Sequence, residues 1–322
     1  MSFPVATAVL LFGVIGISAN AIFAEVARTQ FGIGPSAGAC WRCLIAAATL
    51  AAVPVFSPGR RDRASRPAES PARGGYVWAA AGGFAFGADL AALHSGFVYA
   101  PAARMTLLAN FAVLPVATFG WFVLGERPRP LFFGGVLLAL VGLAVLLGPG
   151  ASGGEAWPDL WFGDLLGLTI PFTYAVYQIG VKRARETLGT VPVMLAVSVG
   201  ASVSLGTVAA LNGERWLPTG GLFGWWPLVA MAWGSHLGGQ GVIASAFRYL
   251  PAGFASAIML TQPVMVAVMG WLAFGQSLGP TEMAGAAVVI AGLACVVMGR
   301  EKLNTPNKSP GGNAKGIRAG ES

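Results

Sequence analysis

Residues 97–143 read FVYAPAARMTLLANFAVLPVATFGWFVLGERPRPLFFGGVLLALVGL, and residues 247–293 read FRYLPAGFASAIMLTQPVMVAVMGWLAFGQSLGPTEMAGAAVVIAGL. The two stretches align without a gap at an offset of 150. Thirteen of the 47 positions are identical, among them Tyr99/Tyr249, Pro101/Pro251, Gly120/Gly270, Trp121/Trp271, Pro130/Pro280, Gly135/Gly285 and Gly142/Gly292. Shared richness in Gly, Ala and Val does not produce matched Gly-Trp and Pro landmarks, so the chain reads as an internal repeat.

Around the repeat, composition sets the class. Of 322 residues, 55% are hydrophobic, 46 are glycine and only 10% are charged, against roughly 25% charged in a soluble domain. An integral membrane protein is expected. A hydrocarbon core ~30 Å thick needs about 20 mostly apolar residues per helix. Ten such runs follow one another: 4–24, 35–56, 75–97, 102–124, 131–148, 162–181, 191–211, 222–246, 251–274 and 281–299. The first resembles a signal peptide with Ala19-Asn20-Ala21 at its end, but no basic residue precedes it and nine runs follow, so it reads as the first helix. Each copy of the repeat holds five runs, and an odd number of crossings turns the second copy upside down. The expected fold is an all-α membrane protein of ten transmembrane helices in two inverted five-helix repeats. Residues 1–148 form the first repeat, 149–161 an extracytoplasmic linker, 162–299 the second repeat and 300–322 a disordered basic tail. Inverted repeats mark secondary transporters, whose sites lie near the midplane between the halves.

The formal charge of +7 is a topology signal. With a cytoplasmic N-terminus, sixteen of the twenty Lys and Arg residues fall on the inside, Arg28, Arg104 and Arg215 fall outside, and Arg42 lies within the second run. Both termini are expected in the cytoplasm and the chain in the inner (plasma) membrane, with lipid and a small-molecule substrate as partners and no nucleic acid. The basic segments 57–74 and 300–322 read as surface segments suited to anionic lipid. A monomer is compatible with the pattern, which sets no oligomeric state.

Polar groups inside a bilayer are expensive and mark sites by default. On the eighth run Trp233, His236 and Gln240 stand at i, i+3 and i+7, one α-helical face suited to a small zwitterion or heterocycle; the competing reading is a face bonded between helices. The sixth run repeats the spacing with Pro171, Tyr174 and Gln178. The first carries Gly13, Gly16 and Asn20 on one face, for close packing or for a site. Asn110 and Gln262 sit mid-run in the related fourth and ninth helices, close to Pro115 and Pro263. Asp89 is a carboxylate well inside a span, in the outer half with Arg42, Arg104, His94 and Glu25. It reads either as an ion pair with Arg104 or Arg42, or as a protonatable group coupling proton entry to substrate exit.

Other classes fare worse. An intramembrane aspartyl protease needs a second buried Asp, and a zinc protease needs His-Glu-x-x-His, whereas the histidines are His94 and His236 alone. Cys40, Cys43 and Cys295 are too few for a disulfide framework. No Walker loop or dinucleotide fingerprint appears, a retinal lysine is missing from the spans, and neither a metal nor an organic cofactor is expected.

The run Leu107-Leu108-Ala109-Asn110-Phe111, followed by Gly125-Glu126-Arg127 before a Gly-rich helix, resembles the drug/metabolite transporter superfamily, specifically its EamA-domain permeases. Gln262-Pro263-Val264 with Trp271-Leu272-Ala273-Phe274-Gly275 is similar in the second copy. The resemblance covers about residues 4–299; Gln276 departs from it, standing where the second copy usually has Glu. It implies a ten-helix bundle around a central cavity that moves metabolites or drugs, commonly outward. The expected function is export of a small amphipathic metabolite, an amino acid or aromatic heterocycle, by alternating access. Uptake of a nutrient, or a membrane enzyme or receptor, are the alternatives.

Overall fold

The computed structural model describes residues 1–56, 72–126, 128–148, 158–274 and 279–299. Most of the basic segment 57–74, Arg127, most of the 149–161 linker, Gln276 and the 300–322 tail lie outside the described residues. The described residues are almost entirely helical and contain no strand.

The helical rods are α1 (Phe3–Phe31), α2 (Pro35–Phe56), α3 (Ala72–Gly96), α4 (Ala102–Asn110 continued by Val113–Leu124) and α5 (Pro130–Leu147). They continue as α6 (Leu160–Thr187), α7 (Thr190–Leu211) and α8, which is built from Trp226–Ala230, a π-helical segment Met231–Gln240 and Gly241–Ala246. The last two are α9 (Ala252–Ile258, a 3-10 turn Met259–Thr261 and Gln262–Phe274) and α10 (Pro280–Met298). Among the described residues, seven helices are long and apolar enough to cross a membrane. Large apolar side chains remain on the outside of the bundle, Phe122 at 78% exposure and Leu272 at 71%. Water would not tolerate so broad an apolar surface, and lipid covers it without cost.

The rods choose partners by a rule. α3 lies along α6 and α7, while α8 lies along α1 and α2; α2 meets α7 and α5 meets α10. Adding or subtracting five maps this set of contacts onto itself. The glycine landmarks of the repeat explain one of them. A Cβ on Gly135 would stand 2.6 Å from the Gly292 carbonyl oxygen, and one on Gly142 would stand 2.9 Å from that of Gly285. The repeat pairs Gly135 with Gly285 and Gly142 with Gly292, so each glycine meets the counterpart of the other, and α5 and α10 run antiparallel. Backbones this close gain dispersion contacts that no larger residue allows.

α4 and α9 are interrupted at related places. A proline ring clashes with the carbonyl four residues back and lacks the N–H that would bond it. Pro115 and Pro263 put that clash at Phe111 and Met259, where the two helices break. Gly125 ends α4 with φ 73°, the left-handed region, where an L-side chain would cost about 1 kcal/mol or more. That turn aims Glu126 at the start of α9.

Candidate functional site

A cavity of about 630 Å³ lies between the two halves, lined by parts of α1, α2, α3, α4, α6, α8 and α9. Its volume is that of a small-molecule site. The wall is mostly apolar, with Asn20, Arg42, Asp89, Asn110, Tyr174, Gln240 and Gln262 interrupting it. The breaks in α4 and α9 fall on this wall, where backbone freed from its helix faces a cavity rather than lipid.

The two ends differ. The lining reaches Glu25 and Arg28, an ion pair at 2.8 Å whose side chains are 51% and 58% exposed, so the cavity opens at that end. The other end, where α1 begins and α10 finishes, is tied shut. The Glu126 carboxylate accepts the Ala252 N–H at 3.0 and 2.7 Å and pairs with Lys182 Nζ at 2.7 Å. Lys182 also donates to the Leu250 carbonyl, and the rings of Phe3 and Phe254 stand 5.0 Å apart. One carboxylate therefore joins the end of α4, the end of α6 and the start of α9. Sequence reading passed over this tie, although Gly125-Glu126 and Pro251-Ala252 were both among its landmarks.

Of the residues expected in the site, Asn20, Asn110, Tyr174, Gln240, Gln262, Arg42 and Asp89 do line the cavity. Gln240 Oε1 accepts the Tyr177 hydroxyl at 3.1 Å, and Asn110 Nδ2 donates to the Thr106 carbonyl at 2.8 Å. Gln178 is buried behind the wall, its Nε2 3.7 Å from Met259 Sδ and its Oε1 without a partner among the described residues. Gly13 and Gly16 serve packing: a Cβ on Gly16 would stand 2.9 Å from Gly239 Cα on α8.

The shared face of Trp233, His236 and Gln240 is corrected by the π-helix. A π-helix takes more residues per turn than the 3.6 of an α-helix. The spacing that would align three residues on an α-helix therefore turns Trp233 away from the other two. Trp233 is 57% exposed on the outside of the bundle, and its Nε1 donates to Thr49 Oγ1 on α2 at 3.1 Å. His236 is buried at the α7 contact, with Nε2 2.9 Å from Ser198 Oγ. That hydroxyl gives its own proton to the Met194 carbonyl at 2.7 Å, so the imidazole is the donor. Gln240 alone of the three reaches the cavity.

The expected partnership of Asp89 is corrected too. Arg104 holds Asp164 at the start of α6 with a forked pair of bonds, 2.6 and 2.7 Å long. Arg42 donates Nη1 to Asn20 Oδ1 at 3.0 Å. Among the described residues Asp89 forms no ion pair, because the basic groups within its half of the bundle are engaged elsewhere or held apart.

A model of the EamA-like transporter family matches residues 5–148 and again 161–298. The chain belongs to the EamA-like transporter family. It is a multi-pass membrane transporter of a small molecule, not an enzyme. An uncharacterised protein of Pseudomonas aeruginosa is 32% identical over 73% of this chain and 77% of its own length. An uncharacterised transporter of Archaeoglobus fulgidus is 25% identical over 63% of this chain and 68% of its own. The aromatic amino acid exporter YddG of Ancylobacter novellus is 34% identical over a shorter stretch, 28% of this chain and 31% of its own. A solved crystal structure superposes with a TM-score of 0.74 at 19% identity, covering 91% of this chain and 97% of that one, and so shares the fold. The family match supplies what the geometry alone does not, a transport role for the chain.

Proposed function

We propose that this EamA-family protein exports a small amphipathic metabolite, an amino acid or aromatic heterocycle, from a bacterial cytoplasm. Ten spans in two inverted five-helix halves rock about the cavity, with both termini cytoplasmic. The observation that carries the reading is the cavity itself, open at one end and tied shut at the other by Glu126, Lys182 and Ala252. A site between two halves with one end closed is what alternating access requires. The antiparallel α5 and α10, related by the repeat, support inversion, and the basic residues gathered on one side support the orientation. Under that orientation the open end faces outward, the state from which an exporter releases its cargo. The partial likeness to an aromatic amino acid exporter favours the same class of cargo.

The test is efflux. Cells loaded with a panel of labelled amino acids and heterocycles should lose at least one of them faster when they express the protein. Unchanged efflux for the whole panel, with faster uptake of any member, would reverse the direction.

A further inference from the structure

Two charged side chains in the cavity wall are left over by the packing. Arg42 is 4% exposed and Asp89 is 5% exposed, and both line the cavity. Among the other ionisable groups nearby, Glu25 pairs with Arg28 at the mouth and Arg104 with Asp164, while the His94 ring, also in the wall, keeps a buried Nδ1 without a hydrogen-bond partner among the described residues. Arg42 gives one donor to Asn20, while its Nε and Nη2 find no hydrogen-bond partner among the described residues, and neither does Asp89 Oδ1. Burying a charge without a partner is costly, and opposite charges in one poorly hydrated site gain from closing on each other. Here the fold holds them apart.

Beside Arg42 stands an aromatic face of the same wall. The Arg42 guanidinium carbon lies 5.8 Å from the centroid of Phe86. Asp89 follows Phe86 by three residues on α3, and residues three apart share a helical face one turn from each other. The cavity lining thus holds a cation with two free donors, a ring beside it, and a carboxylate with a free oxygen. We propose that this pair is the head-group site for a zwitterionic α-amino acid, the Arg42 guanidinium donating to its carboxylate and Asp89 accepting from its ammonium. A guanidinium fork suits a carboxylate because two parallel N–H donors meet two oxygens. The apolar wall around Phe86 and Leu90 takes the side chain. The assignment rests on the reading of this cavity as the substrate site, and within that reading it selects an amino acid over a neutral heterocycle.

Titration calorimetry on the purified full chain in lipid nanodiscs tests it with four probes. L-phenylalanine carries both charges, phenethylamine the ammonium alone, 3-phenylpropionate the carboxylate alone, and indole neither. L-phenylalanine should bind about tenfold or more tightly than each of the others, since each charge-assisted bond is worth about that factor. Arg42→Gln should lose that factor for L-phenylalanine and 3-phenylpropionate and leave phenethylamine unchanged. Asp89→Asn should lose it for L-phenylalanine and phenethylamine and leave 3-phenylpropionate unchanged. Equal weakening of all four probes in both variants would overturn the assignment, because a structural role has no preference among head groups. Where a variant does not fold, the wild-type ranking decides: indole binding as tightly as L-phenylalanine overturns the head-group site alone. Binding of none of the four, with efflux of a chemically different compound, overturns the cargo class as well.

Discussion

Asn110 and Tyr174 reach the cavity with little structural duty: one bonds its own helix and the other brings its hydroxyl 3.6 Å from a thioether sulfur. His236 is the reverse, enclosed at a helix contact and bonded to Ser198. Their substitutions should therefore separate. Asn110→Ala and Tyr174→Phe should weaken substrate by ~1–3 kcal/mol, about five- to hundredfold, by leaving a substrate polar group unpaired, with the melting temperature near wild type. His236→Ala should cost about 1–3 kcal/mol of stability, from the lost bond and the void, with normal affinity in the folded fraction. Trp233→Ala, at the outer surface, should leave affinity within about twofold. Paired melts and efflux KM values on the four variants check this; a loss of affinity at Trp233 equal to that at Tyr174 would contradict the π-helical placement. The sequence marked Asp89, Arg42, Asn20 and Gln240 because polar groups in apolar runs are rare and have few reasons to be there. It did not mark which way Trp233 turns, since residue spacing translates into a face only once the helix type is known.

At the scale of elements, the repeat was legible because its landmarks are backbone devices. Gly135, Gly142, Gly285 and Gly292 hold α5 against α10, so their positions survive in sequence. The partner choices were not legible, because a uniformly apolar helix has no polar face to say which side is covered. The glycine contact has a direct test. A Cβ on Gly292 would stand 2.5 Å from Ala139 N, a distance at which backbone must shift. Gly292→Ala should destabilise by about 1–3 kcal/mol through overpacking. Gly134, on the same α5 contact helix but with nothing within 4 Å of its Cβ position, is the control. Gly134→Ala should be neutral or stabilising by about 0.5–1 kcal/mol, because alanine loses less entropy in a helix. Thermal melts in detergent distinguish the two, and equal melting shifts would refute the close contact.

For the whole molecule, under the proposed alternating access, the tie at the closed end should set the balance between states. Glu126 accepts a backbone N–H and a lysine across a sequence separation that no local pattern could reveal. The repeat counterpart of Glu126 is Gln276, so the charged latch is encoded in one copy of the repeat and a neutral residue in the other. A hydrogen bond to a charged group is worth about 1.5–3 kcal/mol, and every 1.4 kcal/mol is about tenfold in an equilibrium. Under the proposed mechanism, asymmetry of that size would bias the resting protein toward the state with the Glu126 end closed, which under the proposed orientation is the outward-facing one. Glu126→Gln should give both copies of the repeat the same neutral residue, and Lys182→Met should remove the same ion pair from the other side. A reporter cysteine at Ser256, on the cavity wall and nearly enclosed, reads the shift with an impermeant reagent applied from the cytoplasmic side of oriented vesicles. Labelling should quicken about tenfold in either variant relative to the reporter alone, because a ligand or reagent sees only the fraction of molecules that are open to it. The double variant should add little beyond either single one, since both break one bond. Equal labelling in all four proteins would mean that the tie holds loops in place without weighting the two states. Faster labelling from the opposite side would mean that the orientation is reversed.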